Sequence, residues 1–137
     1  MSTTKQNMNT SDKDGIINDD GGTLLHQAVA LDVHALANLL KSPEFDVNAK
    51  DNNGRTPLHL AAIRCDHKPA TLLVSHGANV NAKDNNDETP LHLVARSDQN
   101  FSSIVAQFLV SNGANIHARD NTGGTPLHSA APMSRRS

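Results

Sequence analysis

Apolar residues in this chain fall in short bunches spaced three and four apart, with polar runs between them. Leu24, Leu25, Ala28 and Val29 form one bunch; Leu36, Leu39 and Leu40 form the next. Leu58, Ala61 and Ala62 are followed by Leu72, Leu73 and Val74. Leu91, Leu93, Val94 and Ala95 are followed by Ile104, Val105, Phe108, Leu109 and Val110. Spacings of three and four predict one buried face on each of a series of short helices, arranged in pairs. Thr56 stands where a helix N-cap belongs, and Pro57 at the first helical position, where its missing N–H costs nothing. Cys65-Asp66 breaks the first helix of this pair, and Pro69 is tolerable in the first turn of the second. Gly77 and Gly113 are expected to end second helices in the left-handed conformation. Asp51-Asn52-Asn53-Gly54 reads as a turn, and Val80 as the start of an extended segment leading to the next one.

The helix pairs repeat. Thr-Pro-Leu-His occurs at Thr56–His59, Thr89–His92 and Thr125–His128, with a near copy at Thr23–His26. The first three starts are 33 residues apart and the last gap is 36. A fixed period in this range marks a stacked-repeat protein. The extra residues fall between Arg96 and Ser103, in a loop between two helices, where insertion has a modest entropic cost. The first repeat carries Glu44 in place of the expected glycine, after Pro43, so an irregular corner is expected there. The fourth carries only its turn and first helix, which Pro132 stops.

This divides the chain into a polar arm at 1–17, repeats at about 18–50, 51–83 and 84–119, a partial repeat at 120–131, and a polar tail at 132–137. The arm is too poor in apolar residues to offset the entropy of ordering, so a disordered segment is expected. Hydrophobic residues make up 36% of the 137, with three Phe and no Trp or Tyr. The core must therefore come from Leu, Val, Ile and Ala in thin helical layers. The net charge of −2 gives no basic excess for nucleic acid or an anionic membrane. No apolar run reaches the roughly 18–20 residues that span a bilayer. The first residues lack the apolar core of a secretory signal. A single cysteine, Cys65, excludes an intrachain disulfide and fits a reducing compartment, so an intracellular, cytoplasmic setting is expected.

Thr56–Ala61 and Thr125–Ala130 fit the T-P-L-H-x-A signature of the ankyrin repeat; Thr89–Val94 departs at its last position and Thr23–Ala28 at its second. Gly77-Ala78-Asn79-Val80-Asn81-Ala82 and Gly113-Ala114-Asn115-Ile116-His117-Ala118 are similar to the family's Gly-Ala-Asp-Val-Asn-Ala segment. Residues 18–131 thus resemble an ankyrin-repeat array. The resemblance implies an all-α solenoid of stacked antiparallel helix pairs with β-hairpin-like loops: three full repeats and a partial fourth. It implies a non-catalytic module that binds a partner protein through hairpin tips and inner helices. The matching positions are Asn52, Asn53, Arg55, Ile63 and Arg64 in repeat two, and Asn85, Asn86, Glu88, Arg96 and Ser97 in repeat three. Repeat one supplies Asp19, Asp20, Ala30 and Leu31, and the partial fourth Asn121 and Thr122. It also implies that the tetrapeptide histidines bond locally and tie neighbouring loops together. Asn48 and Asn81 are candidate sites of asparagine hydroxylation, as in some members of the family.

Other chemistry is poorly supplied. His34, His67, His76 and His117 form no His-x₃-His pair and have no cysteine companions, so no metal is expected. No nucleophile elbow, phosphate loop or HExxH is present, and no catalysis or cofactor is expected. Cys65, where the family usually has glycine, reads as a small, partly buried filler. The missing second helix of repeat four leaves Val105 and Leu109 short of cover. Fraying or weak self-association at the C-terminal end is therefore expected, and a fragment of a longer ankyrin protein is the rival to a self-sufficient binding module.

Overall fold

A computed structural model describes residues 23–97 and 104–126, which hold six helices and no strand. They are α1 (Leu24–Leu31), α2 (Val33–Leu40), α3 (Pro57–Ile63), α4 (His67–Ser75), α5 (Pro90–Ser97) and α6 (Ile104–Ser111). The arm, Asp19, Asp20, the insertion at 98–103, His128 and the C-terminal end lie outside the described residues.

Each first helix starts the same way. The Thr23 hydroxyl accepts from the Leu25 and His26 amides, and Thr56 and Thr89 accept from those of His59 and His92. The histidine three residues on returns the bond, its Nδ1 accepting the threonine N–H at 3.0–3.1 Å. Two orphan donors per helix are thereby satisfied, histidine serving where a capping box usually has Glu or Gln. Cys65 follows the end of α3 at φ 51°, the left-handed corner that suits glycine and admits a cysteine at some strain. Gly77 and Gly113 close α4 and α6 at φ 95° and 98° as the sequence predicts.

Paired helices pack on each other (α1 on α2, α3 on α4, α5 on α6) and each also packs on its counterpart one repeat along. First helices α1, α3 and α5 thus form one layer and second helices α2, α4 and α6 another. Leu25, Leu36, Leu58, Leu73, Leu91 and Leu109 are fully enclosed between them. Ala61, Ala62, Ala70 and Ala106 are buried too, and their small side chains let successive layers approach.

Two local expectations need correction or refinement. Val80 does not open an extended segment. It lies in a turn closed by the Ala82 N–H on the Asn79 carbonyl at 3.2 Å, with the Asn79 side chain accepting the Asn81 N–H at 2.9 Å. The competing force is Asx-turn chemistry, which gives the backbone a partner that no neighbouring strand supplies. The first repeat's corner at 41–45 is a run of turns and bends, as Pro43 and Glu44 suggest.

Candidate protein-binding face

The loops between repeats are built on three aspartates. Asp51 Oδ1 accepts from the Asn53 and Arg55 amides, Asp84 Oδ1 from Asn86 and Glu88, and Asp120 Oδ1 from Thr122 and Gly124. Burial raises the Asp120 pKa, but hydrogen bonds from the Thr122 hydroxyl and the Gly124 and Thr122 amides outweigh this and hold it below the ordinary value. The turns project Asn52 and Asn53, then Asn85 and Asn86, then Asn121 and Thr122 into solvent. Successive tips are bonded: the Asn85 N–H donates to the Asn53 carbonyl at 3.0 Å, the Asn121 N–H to Asn86 at 2.9 Å, and the Asn85 side chain to the Asn52 carbonyl. The row of tips is therefore a preorganised edge.

The tetrapeptide histidines bind layers together. His26 Nε2 lies 2.7 Å from the Arg55 carbonyl oxygen, His59 Nε2 2.8 Å from that of Glu88, and His92 Nε2 2.9 Å from that of Gly124. His59 is fully enclosed, and burial lowers its pKa, only partly opposed by the hydrogen bond to Glu88. These are structural bonds, with the ring nitrogens committed.

First helices also expose a stripe of residues to solvent. In α1 it is Gln27, Ala30 and Leu31; in α3 it includes Ile63, followed by Arg64; in α5 it includes Arg96, with Ser97 closing the helix. Leu31 is 74% exposed and Ile63 37%, leaving apolar surface in water at no benefit to the fold. No ion pair holds the Arg64 guanidinium among the described residues.

Glu88 departs from the outward position expected of it. It is 5% exposed, and its carboxylate takes a two-point bond from Arg96, one arm at 3.1 Å. That hydrogen bond raises the Arg96 guanidinium further above its ordinary range. Arg96 is half exposed, so it joins the base of the loop to the helix stripe and makes them one surface. Arg55, at the equivalent place one repeat earlier, is partly buried and reaches Asp84 at 3.3 Å. The side chains of Arg55 and Glu88 are thus committed to scaffold contacts, whereas Asn53, Arg64 and Asn86 are exposed.

One feature of this face was missed in the sequence. Lys50 donates to the Lys83 carbonyl at 2.9 Å, and Lys83 to the Arg119 carbonyl at 3.2 Å. Together with Arg119 they form a row of exposed cations one repeat apart. The signal was present, since each precedes one of the three turn aspartates. Asn48 and Asn81 form a parallel row. Each accepts the backbone N–H of the equivalent loop one repeat on (Asn79 and Asn115, both 2.7 Å) and donates to the glycine carbonyl before it, Gly77 or Gly113.

Among the described residues no group of three or more His, Cys, Asp or Glu side chains converges as a metal site, and no helix is long and apolar enough to cross a membrane. Cys65 packs partly buried against the core.

A search of curated proteins returned no match. A family model described as ankyrin repeats (3 copies) matches residues 2–84 and again residues 70–136. Arrays of this kind are generally non-enzymatic protein–protein interaction modules. The period, the paired helices, the capping histidines and the family match agree: the chain belongs to the ankyrin-repeat family.

Proposed function

We propose that this chain is a non-catalytic binding module that engages a partner protein along the first-helix stripe and the adjoining loop tips. The observation that carries the reading is the exposed pair Leu31 and Ile63 beside the exposed Arg64. None of these contributes to the core, and all lie on a surface made rigid by inter-repeat hydrogen bonds. Apolar surface rimmed by charge is the composition of a contact site. A preformed scaffold keeps the ordering cost of association small. Asn53 and Asn86 extend the surface with adaptable hydrogen-bonding groups.

The test is affinity capture with the wild-type chain, an Ile63→Asp/Arg64→Glu variant and an Asn38→Glu variant at an exposed position of α2, all matched for thermal melting. Binding of a specific protein lost only in the Ile63/Arg64 variant supports the reading. Equal capture by all three would sink it.

A further inference from the structure

The second-helix layer holds a site that the stripe does not explain. Between α2 and α4 lies a groove of about 400 Å³, lined by Val33, His34, Ala37, His67, Lys68 and Leu72 among others. Its walls are mostly hydrocarbon and it contains no carboxylate. The size falls in the range of small-ligand pockets.

The next repeat indicates what belongs there. Leu72 stands five residues before Gly77, and Phe108 five before Gly113, so the two are structural equivalents. The Phe108 ring meets His67 of the preceding repeat edge-on, with centroids 5.5 Å apart and planes at 90°. His34 precedes His67 by the 33-residue repeat. It therefore stands to Leu72 as His67 stands to Phe108. Leucine lacks the ring, and His34 has no aromatic neighbour among the described residues. By repeat register, the groove lies where the next layer carries the phenyl group of Phe108.

We propose that this groove binds an aromatic side chain of a partner protein, flanked in that partner by a carboxylate. The ring sits over Leu72 with its face or edge against His34, repeating the Phe108–His67 contact. Such pairs add to the area an aromatic group buries. The carboxylate meets Lys68, which is exposed and has no ion pair among the described residues. Asp32 and Asp66 line a smaller neighbouring hollow of about 230 Å³, which shares Val33 and Lys68 with the groove and also touches Ala30 and Leu31. The groove itself is lined by second-helix residues, none of which belongs to the first-helix stripe, so the two sites can be tested separately.

The experiment is an NMR titration of the full chain with the peptide acetyl-Glu-Phe-Glu-amide. Saturable shifts are expected at Val33, Ala37, Lys68 and Leu72, and not at Ile63. Replacing the peptide's Phe by Leu should weaken binding about fivefold, in line with the worth of an aromatic pair. Leu72→Phe installs the group that repeat three already tolerates and should abolish the shifts while preserving spectral dispersion. His34→Ala, at an exposed position, should remove the preference for Phe over Leu even if Leu72→Phe disturbs the layer. Absence of shifts at millimolar peptide, equal binding of the Leu peptide, or unchanged binding to Leu72→Phe would each overturn the proposal.

Discussion

His59 Nε2 lies 2.8 Å from the carbonyl oxygen of Glu88, in the loop that opens the next repeat. The other ring nitrogen accepts the Thr56 N–H at 3.0 Å. An acceptor at Nδ1 fixes the proton on Nε2, so the ring donates across the repeat boundary as a neutral imidazole. A second proton on Nδ1 would face an N–H donor inside an enclosed site.

This makes the array acid-sensitive. Above the ordinary value of 6.5 the ring is neutral in folded and unfolded chains alike, and its stabilising contribution is complete. Below it the unfolded chain takes up the proton first, because burial holds the folded pKa lower. Stability therefore falls as pH drops from 6.5 toward that lowered value and levels off beneath it. One such group gives a slope of up to about 1.4 kcal/mol per pH unit. Urea unfolding at several pH values should show this slope, shallower in His59→Asn. An identical pH profile in wild type and variant would refute the assignment.

Leu58 is fully enclosed at the centre of the stack. Leu58→Ala should cost about 2–5 kcal/mol, the range for a truncated core leucine whose cavity cannot fully collapse. In so small an array that is a large part of the total. A melting temperature within error of wild type would contradict the packing.

How far this was legible in the sequence differs from residue to residue. Leu58, Ala61 and Ala62 could be assigned to the core because helical spacing alone puts them on one face, and burial followed. Two parts of each cap were legible, because Thr-Pro-Leu-His states the N-cap and first helical residue in order, while the returning histidine bond needed the coordinates. Glu88 was not, because its equivalents are Arg55 and Gly124, which carry different chemistry. Its fate is decided by Arg96, eight residues on, and only the fold brings that guanidinium back to it. Val80 was misjudged because an apolar residue among polar ones reads as strand alternation, whereas Asn79 supplies a turn bond that periodicity cannot express. The groove beside Leu72 needed coordinates, since it depends on a ring absent from one layer and present in the next.

Gly54 and Gly77 both sit at positive φ, 77° and 95°, but in different surroundings. A Cβ at Gly54 would strike the Asn85 side chain and come within 2.7 Å of the Asn85 backbone nitrogen, while one at Gly77 meets nothing within 4 Å. Gly77→Ala should cost only the backbone strain, about 1–2 kcal/mol. Gly54→Ala adds displacement of the neighbouring loop tip, at least about 1 kcal/mol more. Paired denaturation curves test this. Equal costs would mean that the bond from Asn85 to the Asn53 carbonyl does not hold the tips together in solution.

The pairing of Glu88 with Arg96 yields the last prediction. The carboxylate is almost enclosed, with side-chain exposure of 7%, whereas the guanidinium is 49% exposed. Removing the cation strands a desolvated charge, and removing the charge frees a solvated cation. The two single substitutions should therefore be unequal. Arg96→Met, which keeps the hydrocarbon stem, should cost about 1–2 kcal/mol, less than a fully buried pair would because solvent screens the exposed partner. Glu88→Gln should cost less, since the amide still accepts from Arg96 and carries no charge to desolvate. In the double variant the Arg96 substitution should cost much less than it does alone, giving a favourable coupling of about 1 kcal/mol in a double-mutant cycle. Additive costs would show that the two side chains do not meet in solution, and would return Glu88 to the partner-facing surface from which its burial removes it.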